Sequence, residues 1–97
     1  MNPLILADTL TWGSYLGEVN REAQYSFAEI PCQWEPTTGE YRGTNGEITA
    51  YSVEVIAAEP GFKAGDTITH GGLTYEVVKV DNVYMRGRFH HAEVLAK

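Results

Sequence analysis

Cysteine is almost missing from this 97-residue chain, where Cys32 stands alone. No intrachain disulfide can form, a zinc site built from several thiolates is excluded, and a reducing compartment suits the chain well. Positive charge is also scarce. Seven Lys and Arg face thirteen Asp and Glu, a formal net charge of −6, so the chain lacks the basic face with which a tight nucleic-acid binder neutralises phosphates. Long apolar runs are missing too. Nothing approaches the ~20 apolar residues that span a bilayer. The apolar start Pro3-Leu4-Ile5-Leu6-Ala7 ends at Asp8 with no basic residue before it, too short for a secretory signal core. The expectation is a soluble chain made and kept in a cytoplasm, with no membrane partner.

Catalytic motifs are equally sparse. Ser14, Ser26 and Ser52 lie in no nucleophile-elbow pattern. Gly61-Phe62-Lys63-Ala64-Gly65 lacks the Gly-Lys-Ser/Thr ending of a phosphate loop and reads as a turn. Cys32 sits in an apolar row between Ile30 and Trp34, where a buried thiol is inert. Carboxylates are plentiful, but without a predicted cleft no pair is singled out for acid/base work. There is no internal repeat and no low-complexity tract. The chain is expected to be no enzyme and to hold no cofactor.

What is present is alternation with period two, the mark of half-buried strands. The hydrophobic fraction, 43% with two Trp, six Tyr and three Phe, suffices for one small core and one domain over residues 1–97. Leu4, Leu6, Leu10 and Trp12 share one parity. Leu6 and Leu10 are also four apart, so a short helix is the alternative there, disfavoured by Thr9, Thr11 and Gly13. Ala28, Ile30, Cys32 and Trp34 form a second row, with Pro31 on the opposite parity marking an edge or a bulge. Tyr51, Val53, Val55 and Ala57 form a third row, and Ala92, Val94 and Ala96 a last one. The clearest unit is a hairpin around His70-Gly71-Gly72-Leu73. Its Gly-Gly loop pairs His70 with Leu73, Thr69 with Thr74 and Ile68 with Tyr75, and gives Ile68, Leu73, Tyr75 and Val77 one face. The parity changes after Val77, which a bulge near Val77-Val78 or burial of both faces explains.

Two segments of about a dozen residues read as loops, a length that often marks function. One is Gly13 to Gln24. The other is Pro36-Thr37-Thr38-Gly39-Glu40-Tyr41-Arg42-Gly43-Thr44-Asn45-Gly46-Glu47, with Tyr41 its only bulky side chain. Among titratable groups, His90-His91-Ala92-Glu93 suggests metal binding at first sight. Adjacent strand residues point to opposite faces, so His90 and His91 are not expected to grip one ion together, and His91 with Glu93 leaves the ligand count marginal. No metal site is assigned. Arg86, Arg88, His90 and His91 form a basic cluster on an acidic chain, either a solvated turn or a docking surface for an acidic partner or a second copy. The fold class expected is all-β, a small SH3-like barrel with two long loops and at most one short helix. A small protein-interaction module is one function open to such a barrel.

Phe62-Lys63-Ala64-Gly65-Asp66-Thr67-Ile68, then Gly72-Leu73-Thr74-Tyr75-Glu76-Val77-Val78-Lys79-Val80, then His90-His91-Ala92-Glu93-Val94, resemble the minor-capsid and head-completion (head-closure, or stopper) proteins of phages. The resemblance covers the last third of the chain and implies a head-closure-type β-barrel. It further implies a homo-oligomeric ring in the virion neck, assembled from the host cytoplasm between the portal protein and a tail-side connector or tail-terminator protein. DNA would pass through without tight binding, and the Pro36–Glu47 loop would face or gate the channel. A tail-terminator or other neck protein is the neighbouring alternative.

Overall fold

The computed structural model describes residues 6–97, and Leu4 of the first parity row lies outside them. Six strands follow in order: β1 (Asp8–Val19), β2 (Glu22–Arg42), β3 (Ile48–Ala57), β4 (Thr67–His70), β5 (Leu73–Met85) and β6 (Arg88–Ala96). No helix occurs among the described residues, so the helical alternative around Leu6 and Leu10 is set aside. The strands close into an antiparallel barrel in the order β1-β2-β3-β6-β5-β4. β1 meets β4 to complete the ring through only Thr11↔Thr69, Trp12↔Ile68 and Gly13↔Thr67.

The barrel members of the parity rows fill the interior, whereas Ala28 of the second row is exposed and Tyr51 of the third lies on an arm. Leu10, Ile30, Cys32, Val55, Ile68 and Val94 are among the buried core residues, and Ala57, Ala92 and Ala96 are fully buried with them. Small side chains here match the tight radius of a six-stranded barrel, whose interior holds little more than the side chains themselves. Pro31 sits opposite Thr9, one residue before the β3 ladder begins at Cys32. At that point β2 has one neighbour, the edge situation that a missing N–H tolerates.

The β4–β5 hairpin has the register read from the sequence, His70↔Leu73 through Thr67↔Glu76. Gly71 and Gly72 take positive φ (61° and 81°) as a two-residue turn requires. Leu73 shares the inward parity but overhangs the barrel end and is 61% exposed. The parity change after Val77 is a bulge: Val77 pairs with Ala96 and Lys79 with Leu95, leaving Val78 unpaired.

Both segments read as loops are mostly strand. Glycine, proline and polar content suggested irregular backbone, yet β1 and β2 pair from Asp8↔Cys32 to Val19↔Glu22, with only Asn20 and Arg21 (φ 53° and 68°) forming the turn. β2 continues through Pro36 to Arg42 against β3, and the connection shrinks to Gly43–Glu47, closed by a hydrogen bond from Gly43 N to Glu47 O at 2.8 Å. The glycines serve the sheet. Tyr51 lies across from Gly39, its ring occupying the space that a side chain at position 39 would need. Thr37 and Thr38 stand opposite Ser52 alone, a bulge that bends the ribbon.

Candidate functional site

Because every neighbour is antiparallel, the strands alternate in direction around the barrel, and this places the turns. The β1–β2 and β5–β6 turns leave one end, the upper; the β2–β3 and β4–β5 turns leave the lower. Three of these hairpins outrun the barrel. β1 meets β4 only at Thr11–Gly13 and β2 meets β3 only from Cys32 onward, so Ser14–Val19 and Glu22–Phe27 form a two-stranded arm. β3 meets β6 only over Val53–Ala57, so Pro36–Arg42 with Ile48–Ser52 form a second arm. β6 meets β3 only over Ala92–Ala96, so residues 82–85 and 88–91 form a third. Among the described residues each arm has open backbone edges, and a two-stranded ribbon is marginal in water by itself.

The arms also carry the exposed apolar side chains. Leu16, Val19 and Phe27 are exposed on the first arm, Ile48 on the second, and Tyr84 and Met85 on the third. Leu16 is the extra residue of a bulge between the pairs Tyr15↔Tyr25 and Gly17↔Gln24. Pairing on one side of Leu16 does not bury it, because among the described residues no second sheet covers the arm.

At the third arm the structure corrects the reading of the histidines. Val83 pairs with His91 and Tyr84 with Phe89, which leaves His90 as the extra residue of a bulge. A bulge breaks strict alternation, and the two rings come together, His90 Nδ1 lying 2.7 Å from His91 Nδ1. His91 Nε2 is 3.2 Å from Glu93 Oε2. His91 therefore uses both ring nitrogens along its own strand, and its side chain is only 12% exposed, so it supports the base of the arm and offers little docking surface. Its two partners sit on opposite sides of the ring, an arrangement that forms a chain of contacts rather than a cage. Among the described residues no three His, Cys, Asp or Glu side chains are grouped to hold a metal ion. His70 lies apart at the lower end, stacked on Trp34 at 4.5 Å with Nδ1 3.0 Å from the Thr9 carbonyl oxygen.

Arg86, Arg88 and His90 do come together. With Met85 and Phe89 they line an open depression of about 590 Å³ beside the Arg86-Gly87 turn, where Arg86 itself takes φ 52°. Neither arginine forms an ion pair among the described residues. At the lower end, Thr38, Gly39, Glu40, Ala50 and Tyr51 line a second open depression of about 580 Å³ on the second arm.

Two polar devices escaped the sequence reading. Asp66 is completely buried and accepts hydrogen bonds from Trp12 Nε1 (2.9 Å), Tyr15 N (2.9 Å), Lys63 N (3.0 Å) and Lys63 Nζ (2.9 Å). Burial alone would raise its pKa, but the bonds from Tyr15, Trp12 and Lys63 outweigh burial and hold the carboxyl below its ordinary value. Tyr15 lies just past the β1–β4 seam, so its N–H faces no strand on that side, and the carboxylate takes the place of a ladder partner. Trp12 stacks on Phe62 at 4.2 Å beside it. The sequence signal was Gly65-Asp66 directly before a strand, with Trp12 far away in the chain.

The second device is Tyr41, whose hydroxyl donates to the Val78 carbonyl at 2.7 Å. The bulge at Val78 takes that residue out of register, and the second arm folds against β5 to meet its carbonyl. Tyr41→Phe is expected to cost about 1–2 kcal/mol in urea unfolding and to speed amide exchange on the second arm more than in the barrel. Equal protection of that arm in both proteins would show that the hydroxyl does not tether it. Cys32 is fully buried; burial, then the charge of Asp8, pushes its thiol up to about 11, which suits a packing role.

Compared with known proteins, the chain matches no family model and no curated protein.

Proposed function

We propose that this chain is a structural subunit of a phage neck, forming a ring between the portal protein and a tail-side connector. The observation that carries the reading is the set of three unpartnered arms: a small barrel sends open edges and exposed apolar side chains out of both ends. Such surfaces are a liability on a lone molecule and are useful on a subunit with neighbours. The resemblance of residues 62–94 to head-completion proteins supplies the class. The net charge of −6 agrees with a wall along which DNA slides, since adhesion needs phosphate-neutralising cations. In this reading the role is mechanical and non-catalytic, and the chain passes from the host cytoplasm into the virion neck.

The channel-facing element we assign is the second arm, a tethered β-ribbon in place of the loop read from composition. A tail-terminator role uses the same features and differs in the partner above the ring. Deleting the gene from the phage that encodes it is expected to leave DNA-filled heads without tails, or heads that lose DNA, in electron micrographs. Normal tailed virions would overturn the reading. Complementation with a chain whose residues 38–51 are replaced by a short turn tests the channel role, because the buried rows of β2 and β3 end outside that stretch. Full DNA retention with normal tail joining would remove the arm from the channel.

A further inference from the structure

Two arms at opposite ends of the molecule carry opposite charge, the β5–β6 turn being basic although the β1–β2 arm at the same end holds Glu18 and Glu22 against Arg21. On the upper end, Arg86 and Arg88 flank a turn and have no ion-pair partner among the described residues. On the lower end, the stretch 35–54 holds Glu35, Glu40, Glu47 and Glu54 against Arg42 alone. Glu35, Glu40 and Glu47 are exposed, and none of the four is in an ion pair among the described residues. Apolar groups accompany both charges: Tyr84 and Met85 are exposed beside the arginines, and Ile48 beside the glutamates. Each end also has an open depression, of about 590 Å³ at the arginines and about 580 Å³ at Glu40.

We propose that copies of this chain join head to tail, the Arg86/Arg88 turn of one copy seating on the acidic β2–β3 arm of the next. The alternating strand directions put these surfaces at opposite ends of one barrel, so they cannot satisfy each other within a chain. The second arm is held in place by the Tyr41 hydroxyl on Val78, so it presents Glu40 and Glu47 on a braced ribbon. Opposite charges steer the two ends together and like charges penalise head-to-head contact, while Tyr84, Met85 and Ile48 supply the apolar area that charges at a rim do not. A contact between two different surfaces is heterologous, and it closes into a ring when its rotation divides a full turn. The contact deepens the ring reading above and rests on it for closure.

The test uses two charge-reversed forms of the full chain, R86E/R88E and E40K/E47K, with folding checked by circular dichroism. Sedimentation velocity of the wild type at low salt is expected to show concentration-dependent association that weakens as salt screens it. Each variant alone, with like charges on both ends, is expected to associate at least about tenfold more weakly. An equimolar mixture restores association, because each end of one variant then meets its opposite on the other. A wild type that stays monomeric at every concentration, a variant that assembles as well as the wild type, or a mixture that fails to recover overturns the contact. The two proposals fail separately. Rings indifferent to both reversals overturn this contact and keep the connector, whereas normal virions after gene deletion overturn the connector and leave the contact to sedimentation.

Discussion

Replacing Asp66 with alanine is expected to lower the unfolding free energy by about 3 kcal/mol, and with it Tm by roughly 15 °C or more for a chain of this size. The carboxylate is completely buried and has four donors from three residues. Truncation leaves the Trp12 indole, the Tyr15 amide and the Lys63 amide facing one another without an acceptor. The Lys63 ammonium is half exposed, so water replaces its bond and little of the loss comes from that pair. The pH dependence gives a second readout. The folded-state pKa is depressed, so the contribution is complete above the unfolded carboxyl value of ~3.9 and is lost as pH falls through the folded value. The gap in stability between wild type and D66A is therefore full at neutral pH and narrows in acid below that value. A gap under about 1 kcal/mol at neutral pH, or one that stays constant into acid, would show that the carboxylate is not the clasp described here.

Leu10→Ala is expected to cost about 3–4 kcal/mol in denaturant unfolding, whereas Leu73→Ala costs under about 0.5 kcal/mol. Both leucines have inward parity in the sequence. Leu10 is 1% exposed and among the largest fully buried side chains, while Leu73 extends past the end of the barrel. The walls around Leu10 are paired strands of a closed barrel, which collapse only in part into the space left behind, so the transfer loss and the cavity add. A domain of this kind has only about 5–15 kcal/mol in hand, so L10A removes a large share of it. Equal costs at the two positions would mean that parity alone, and not depth in the barrel, governs burial.

Period-two reading succeeded wherever the inward and outward faces differ in polarity. Val53, Val55 and Ala57, and Ala92, Val94 and Ala96, are buried as their rows required, and the Gly-Gly turn set the β4–β5 register correctly. It failed on the arms because a ribbon with no core beneath it has no reason to alternate. Thr37, Thr38, Gly39 and Glu40 look like loop residues, yet backbone pairing with β3 on both sides of the Thr37-Thr38 bulge holds them in strand. Bulges were legible only where an apolar parity change exposed one, as at Val78. At His90 the trace was slight, Phe89 and Ala92 standing on opposite parities with no further apolar residue before them on the strand, and His90 and His91 were assigned to opposite faces. Asp66 was illegible for a different reason: its partners Trp12 and Tyr15 come from the other end of the chain, and only the closed ring brings them together.

The short β1–β4 seam also bears on the order of assembly. The β1–β2, β2–β3, β4–β5 and β5–β6 ladders join neighbours in sequence, whereas the β3–β6 ladder joins residues 53–57 to 92–96 and the three-pair seam joins residues 11–13 to residues 67–69. Forming it spends the loop entropy of more than half the chain in return for very few hydrogen bonds. The hairpins close at lower entropic cost than the two long-range pairings, β3–β6 and β1–β4, that turn them into a cylinder. Asp66 sits immediately before β4 and reaches Trp12 and Tyr15 on β1, so the contact that closes the ring carries its own lock.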